Sequence, residues 1–101
     1  MEFLINIKIN WPAGMDAAVK EKISHEERAH AAELAKKGHL VRMWRVVGRR
    51  ENWGLWRAKD ATEMHAIISS LPVWPYMDVS ATALAQHPVD PNPSEPGRTA
   101  S

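Results

Sequence analysis

An α+β fold, with a four-stranded antiparallel sheet carrying two helices on one face, is predicted by three observations. The chain opens on strict apolar alternation, a long capped helical segment follows, and strand and helix signals then recur to give the order β-α-β-β-α-β. With 101 residues the chain has room for one two-layer core and no more.

Phe3, Ile5, Ile7 and Ile9 alternate with Leu4, Asn6, Lys8 and Asn10, which is the period of a first strand over residues 3–10. Trp11-Pro12-Ala13-Gly14 ends it. Asp16 is placed to cap a helix running to about Lys37, where Gly38 supplies the left-handed residue that stops helices. Leu40 to Val47, rich in β-branched and aromatic residues, reads as a second strand. A turn over Gly48-Arg49-Arg50-Glu51 leads into a third strand from Asn52 to Ala58. Asp60-Ala61-Thr62-Glu63 has the form of a capping box, and Met64, Ile67, Ile68 and Leu71 fall on one stripe of the helix it opens. Pro72 ends that helix, and Met77 to Ala85 reads as the fourth strand. This order is that of a ferredoxin-like sandwich.

Residues 1–86 are therefore expected to form the folded domain. From His87 to residue 101 the chain holds four of its seven prolines and few large apolar residues, and is expected to be a tail, disordered or laid on a neighbouring subunit. Between the second helix and the fourth strand, Leu71-Pro72-Val73-Trp74-Pro75-Tyr76-Met77-Asp78 frames an aromatic pair with two prolines, each pushing the residue before it toward extended geometry, and reads as a stiff, bulky connector.

Composition removes several function classes. The net charge of +1 gives no electrostatic footprint for nucleic acid. The absence of cysteine excludes disulfides and thiolate metal sites and fits a reducing compartment. No stretch has the roughly 20 apolar residues of a membrane span, and Met1-Glu2-Phe3-Leu4 lacks a basic leader, so a soluble cytoplasmic protein is expected. His25 and His30, five apart, point to different helix faces and make no metal pair, and neither a glycine-rich phosphate loop nor a Gly-x-Ser-x-Gly elbow occurs. Five tryptophans exceed what one small core can hold, which assigns some to a pocket or a subunit contact.

On the first helix, Val19, Ile23, His30 and Leu34 form an apolar stripe widened by Ala31 and Ala35, and Glu27 falls inside the arc. A carboxylate facing a covered surface has its pKa lifted by desolvation toward the range of a general acid/base. The competing reading has Glu26 and Glu27 as solvated charges paired with Arg28, Lys22 or His30. Arg42, Arg45, Arg49, Arg50 and Arg57 cluster around the central hairpin. Most are expected in solvent, whereas Arg45 sits mid-strand between Trp44 and Val46. Asn52 is either a turn residue or an amide donor to a carbonyl or enolate, and the Tyr76 hydroxyl either orients a ligand or bonds to backbone.

These residues together resemble the muconolactone delta-isomerases. The likeness runs over about residues 1–88: Pro12 and Met15-Asp16 after the opening strand, Glu27 beside a basic residue, Leu34 and Gly38, Trp44-Arg45 with Gly48, Asn52, His65, Leu71-Pro72 through Pro75-Tyr76-Met77-Asp78, and His87-Pro88. The resemblance implies a ferredoxin-like fold in a homo-oligomer, a decamer, with pockets at subunit contacts. It also implies a small-molecule lactone substrate and a shift of the ring double bond of muconolactone to the 3-oxoadipate enol-lactone, with no cofactor and no metal. Glu27 then matches the acid/base, and Arg28, where the family more often shows lysine, stabilises the enolate or binds the carboxylate. Arg45, Asn52, Trp44, Trp74 and Tyr76 orient and enclose the lactone.

The third strand departs from the family pattern. Trp53-Gly54-Leu55-Trp56-Arg57 stands where the family tends to have an aromatic, a small polar residue, Val, Phe and Asp, and Leu40 where an aromatic is common. If these positions line the pocket, a substituted or different lactone is implied. A chloromuconolactone dehalogenase, a ferredoxin-like monooxygenase and a non-catalytic small-acid binding protein are the alternatives.

Overall fold

The computed structural model describes residues 1–91. Four strands, β1 (Glu2–Ile9), β2 (Leu40–Arg45), β3 (Glu51–Arg57) and β4 (Met77–Leu84), and two helices, α1 (Ala17–Lys36) and α2 (Ala61–Ser69), follow one another in the predicted order. The sheet is antiparallel throughout, with spatial order β2-β3-β1-β4. The ferredoxin-like prediction holds.

Register decides which side chains meet the helices. Phe3, Ile5 and Ile7 of β1 stand opposite Trp56, Gly54 and Asn52 of β3, and opposite Ala83, Ala81 and Val79 of β4. Paired residues share a face. Phe3, Ile5, Ile7 and Trp56 join Leu34 of α1 and Met64, Ile67 and Ile68 of α2 in one buried cluster, so both helices lie on this face. Burying each large side chain stabilises the fold by about 1.5–3 kcal/mol. On the opposite face Trp44 pairs with Trp53, both substantially exposed.

The helix ends follow local chemistry. Asp16 accepts from the Ala18 amide at 2.7 Å. At the other end Gly38, at φ +83°, and His39 donate to the carbonyls of Ala35 and Leu34, the paired bonds that satisfy terminal carbonyls when a glycine takes the left-handed conformation. Asp60 accepts from the Glu63 amide at 2.8 Å, while Glu63 reaches one residue further back than a standard capping box, to the Lys59 amide at 2.9 Å.

Three expectations are corrected. The predicted α1 stripe is only partly covered: Leu34 is buried and is the residue of α1 in the core cluster, but Val19 is 45% exposed. β2 stops at Arg45 rather than Val47, since the Val46 amide donates to the Glu51 carbonyl and the chain turns through Gly48. The residue before Pro75 is not extended: Trp74–Tyr76 form a 3-10 turn, closed by Trp74 donating to Leu71 O and Tyr76 to Val73 O. Pro75 falls at its second position, where a missing N–H costs no bond. Residues 92–101 of the expected tail lie outside the described residues. Among the described residues no helix is long and apolar enough to cross a membrane, and no cluster of three or more His, Asp or Glu side chains could hold a metal ion.

Candidate active site

A cleft of about 310 Å³ opens between α1 and the covered face of the sheet. Its size suits a small ligand. Ser24, Glu27, Arg28 and Ala31 reach it from one side of α1, since residues three, four and seven apart share a helix face. Ile7, Asn52, Trp56, Met43 and Arg45 line it from the sheet, and Leu71, Val73 and Met77 line it from the connector and β4. The cleft continues outward into a wider groove bordered by Trp11, Trp44, Arg50 and Glu51.

Glu27 lies two helical turns before the buried Leu34 and on nearly the same line, which aims it at the sheet. Its Oε1 accepts the backbone N–H of Val73 at 3.0 Å. Burial holds the Glu27 carboxyl above the usual carboxylate range; the Val73 hydrogen bond and the charge of nearby His30 oppose that rise without cancelling it. His30 is itself tied to α2 through Ser70 Oγ, 2.9 Å from its Nε2. The group is therefore easier to protonate than an ordinary glutamate and still reaches a ligand in the cleft.

Among the described residues, two polar atoms on the sheet side have no partner. Asn52 Oδ1 and Trp56 Nε1 are both buried and unbonded, although leaving such a group unsatisfied costs about 1–3 kcal/mol. Trp56 is only 1% exposed. Gly54 makes its placement possible, because a Cβ at that position would stand 2.5 Å from Trp56 Nε1. The indole lies over the glycine.

Of the sequence candidates, the single chain brings Glu27, Arg28, Arg45 and Asn52 into one cleft. Arg28 is exposed and reaches Glu21 at 3.4 Å, so its guanidinium is at the mouth. Trp44 borders the outer groove with its ring under the Arg42 guanidinium, 5.0 Å from centroid to Cζ. Trp74 packs edge-on against His65 at 5.8 Å, and Tyr76 leans on Trp11 at 5.2 Å; neither borders the cleft. Tyr76 instead supports Trp11, which does. Sequence reasoning did not single out Trp11, Ser24, Met43 or the Val73 amide, and read Trp56 only as part of an altered strand. The period-2 spacing of Asn52, Gly54 and Trp56 was the available signal that these three share the cleft face. Arg57, by contrast, faces away and pairs with Glu2 at 3.0 Å, so the charge it introduces does not enter the cleft.

The sequence model of the muconolactone delta-isomerase family matches residues 1–90. The chain belongs to the muconolactone delta-isomerase family. Muconolactone Delta-isomerase of Cupriavidus pinatubonensis is 35% identical over 88 residues, covering 87% of this chain and 96% of that one. Muconolactone Delta-isomerase 2 of Acinetobacter lwoffii is 32% identical over 87 residues, covering 86% and 91%. The crystal structure of a muconolactone isomerase superposes with a TM-score of 0.82 at 27% identity, over 87% of this chain and 92% of that chain. A 5-chloro-2-hydroxyhydroquinone dehydrochlorinase from Burkholderia phenoliruptrix shares the fold, with a TM-score of 0.64 at 14% identity over 86% and 96%. Membership in the muconolactone delta-isomerase family thus rests on nearly the whole described chain, and the cleft belongs to that matched region.

Proposed function

We propose that this protein shifts the ring double bond of muconolactone to give the 3-oxoadipate enol-lactone. The observation that carries the reading is Glu27: a carboxyl with a raised pKa, held by a backbone amide over a cleft, in a chain of this family. The reaction is redox-neutral and needs only proton transfer. Glu27, ionised, takes the ring proton next to the lactone oxygen; the C–H electron pair spreads through the double bond to the carbonyl oxygen. The carboxylic acid so formed returns the proton two carbons away, beside the carbonyl. One carboxyl serves both transfers if both occur on the ring face turned to α1.

Arg28 and Arg45, exposed at the mouth, supply guanidiniums for the carboxylate of the substrate side chain. The Asn52 amide faces the ring from the sheet side. Trp44 and Trp74, both exposed on the single chain, are suited to closing the pocket of a neighbouring copy, and Tyr76 holds Trp11 at its edge. A homo-oligomer, a decamer, acting in the cytoplasm is the setting we propose. The test is an ultraviolet assay of the purified protein with muconolactone and its methyl- and chloro-substituted analogues, with native mass spectrometry alongside. Double-bond migration in an assembly that is a multiple of 11.4 kDa is expected. Chloride release without isomerisation, or no absorbance change with any lactone, would overturn the assignment.

A further inference from the structure

We propose that the Trp56 indole N–H is the donor that holds the lactone carbonyl oxygen, and that Gly54 is the residue that makes this donor possible. The inference rests on the isomerase reading for its substrate, and on the cleft itself for its geometry. Among the described residues, Trp56 Nε1 is a buried donor without a partner, on a residue that lines the cleft. A buried N–H is ordinarily paired, so an unpaired one on a side chain that lines a cleft marks a place where a ligand acceptor belongs.

The charge layout of the cleft decides which acceptor. Arg28 and Arg45 are exposed at the mouth, whereas the Trp56 ring and the Asn52 amide are neutral and line the buried side. A carboxylate driven to the buried end would lose its hydration against neutral groups; at the mouth it keeps solvent and gains a guanidinium. A lactone acid therefore enters ring first, and the neutral carbonyl oxygen is the acceptor that reaches Trp56. When Glu27 removes the ring proton, the electron pair collects on that oxygen, and the indole hydrogen bond strengthens against the developing charge. Trp56 neither gains nor loses a proton. Reprotonation of carbon by Glu27 returns the oxygen to a neutral carbonyl.

The indole can stand there only because residue 54 has no side chain, the position of its absent Cβ being 2.5 Å from Nε1. Residues 54 and 56 therefore act as one device. Any side chain at 54 displaces the ring that carries the donor.

The experiment combines kinetics with an indole resonance. Trp56→Phe should lower kcat roughly ten- to hundredfold with a smaller change in KM, the pattern of an interaction made mainly in the transition state. Gly54→Ala should produce a similar loss in the parent and little further loss in the Trp56→Phe background. The indole 15N–1H resonance that disappears in Trp56→Phe should move downfield when the parent binds tetronic acid, a planar enolic lactone. Kinetic constants within twofold of the parent in Trp56→Phe, or an indole resonance unmoved at saturating tetronic acid, would overturn the proposal. A parent protein inactive on muconolactone would instead remove the isomerase reading, and the tetronic acid shift alone would then decide the role of Trp56.

Discussion

The backbone amide of Val73 donates to Oε1 of Glu27 across 3.0 Å, joining the carboxyl of α1 to the proline-framed segment that precedes β4. The turn formed by Trp74–Tyr76 engages the Val73 carbonyl, through Tyr76, and leaves the Val73 N–H for Glu27. The segment thereby fixes one carboxylate oxygen, and the other is the one we propose carries the proton. Replacing Glu27 by glutamine should keep the fold, since the amide oxygen can still accept from Val73, and should reduce kcat by about 10²- to 10⁴-fold. A Glu27→Gln protein that assembles and turns over muconolactone at a near-normal rate would remove Glu27 from the mechanism.

Stability should report the same group independently of substrate. The folded-state pKa of Glu27 is raised, chiefly by burial, above an ordinary value of 4.5. The folded protein thus binds this proton more tightly than the unfolded chain does. The resulting stabilisation is fully present below the unfolded pKa and is lost as pH rises through the folded one. A glutamine in its place does not titrate and carries no such dependence, so the stability of Glu27→Gln relative to the parent should increase with pH across that window. Urea midpoints measured from pH 4 to pH 8 would check the sign, and a difference that stays flat or falls would contradict it.

Removing the Val73 donor should move the catalytic pH profile. The Val73 hydrogen bond lowers the Glu27 pKa against the larger effect of burial. Val73 has φ −83° and ψ −3°, close to what proline tolerates, so Val73→Pro deletes the N–H with limited change of backbone. The acid limb of kcat/KM, which reports the ionised base, should shift to higher pH in this variant, with circular dichroism confirming that it folds. An unshifted limb would mean that the bond does not set the working pKa.

Most of the fold was legible because its punctuation is local. Asp16, Gly38 and Asp60 act on neighbours within a few residues, and the alternation of Phe3, Ile5 and Ile7 states which side of β1 is covered. The candidate site was legible only in part. Glu27, Arg28, Arg45 and Asn52 carry their chemistry in their side chains. The partner of Glu27 is a main-chain amide 46 residues away, and no residue type announces that. The indole over Gly54 likewise depends on a side-chain placement that strand periodicity does not contain. Pro75 suggested extended geometry at the residue before it, yet Trp74–Tyr76 close a 3-10 turn.

The guanidiniums at the mouth should act on binding rather than chemistry. Arg45 stands opposite Asn52 in the β2-β3 register and lines the cleft, exposed to solvent. Arg45→Gln should raise KM about tenfold with a smaller effect on kcat, and the parent KM should rise with ionic strength as the carboxylate contact is screened. Arg28→Gln should behave in the same direction. A fall in kcat at unchanged KM would place the guanidinium at the reacting end of the ring instead.

Arg57 separates stability from catalysis. Its guanidinium meets Glu2 at 3.0 Å on strands paired at that position, and both side chains are largely buried. Neither residue borders the cleft that holds Glu27. Substituting Asp would set two carboxylates against each other across β1 and β3, which costs more than the loss of one exposed pair because the site is partly shielded from water. A loss of about 1–3 kcal/mol is expected, and in a domain of this size that lowers Tm by several degrees. Substrate preference among muconolactone and its substituted analogues should stay within twofold of the parent. A change of preference in Arg57→Asp, at a temperature where the variant is folded, would show that this charge reaches the substrate.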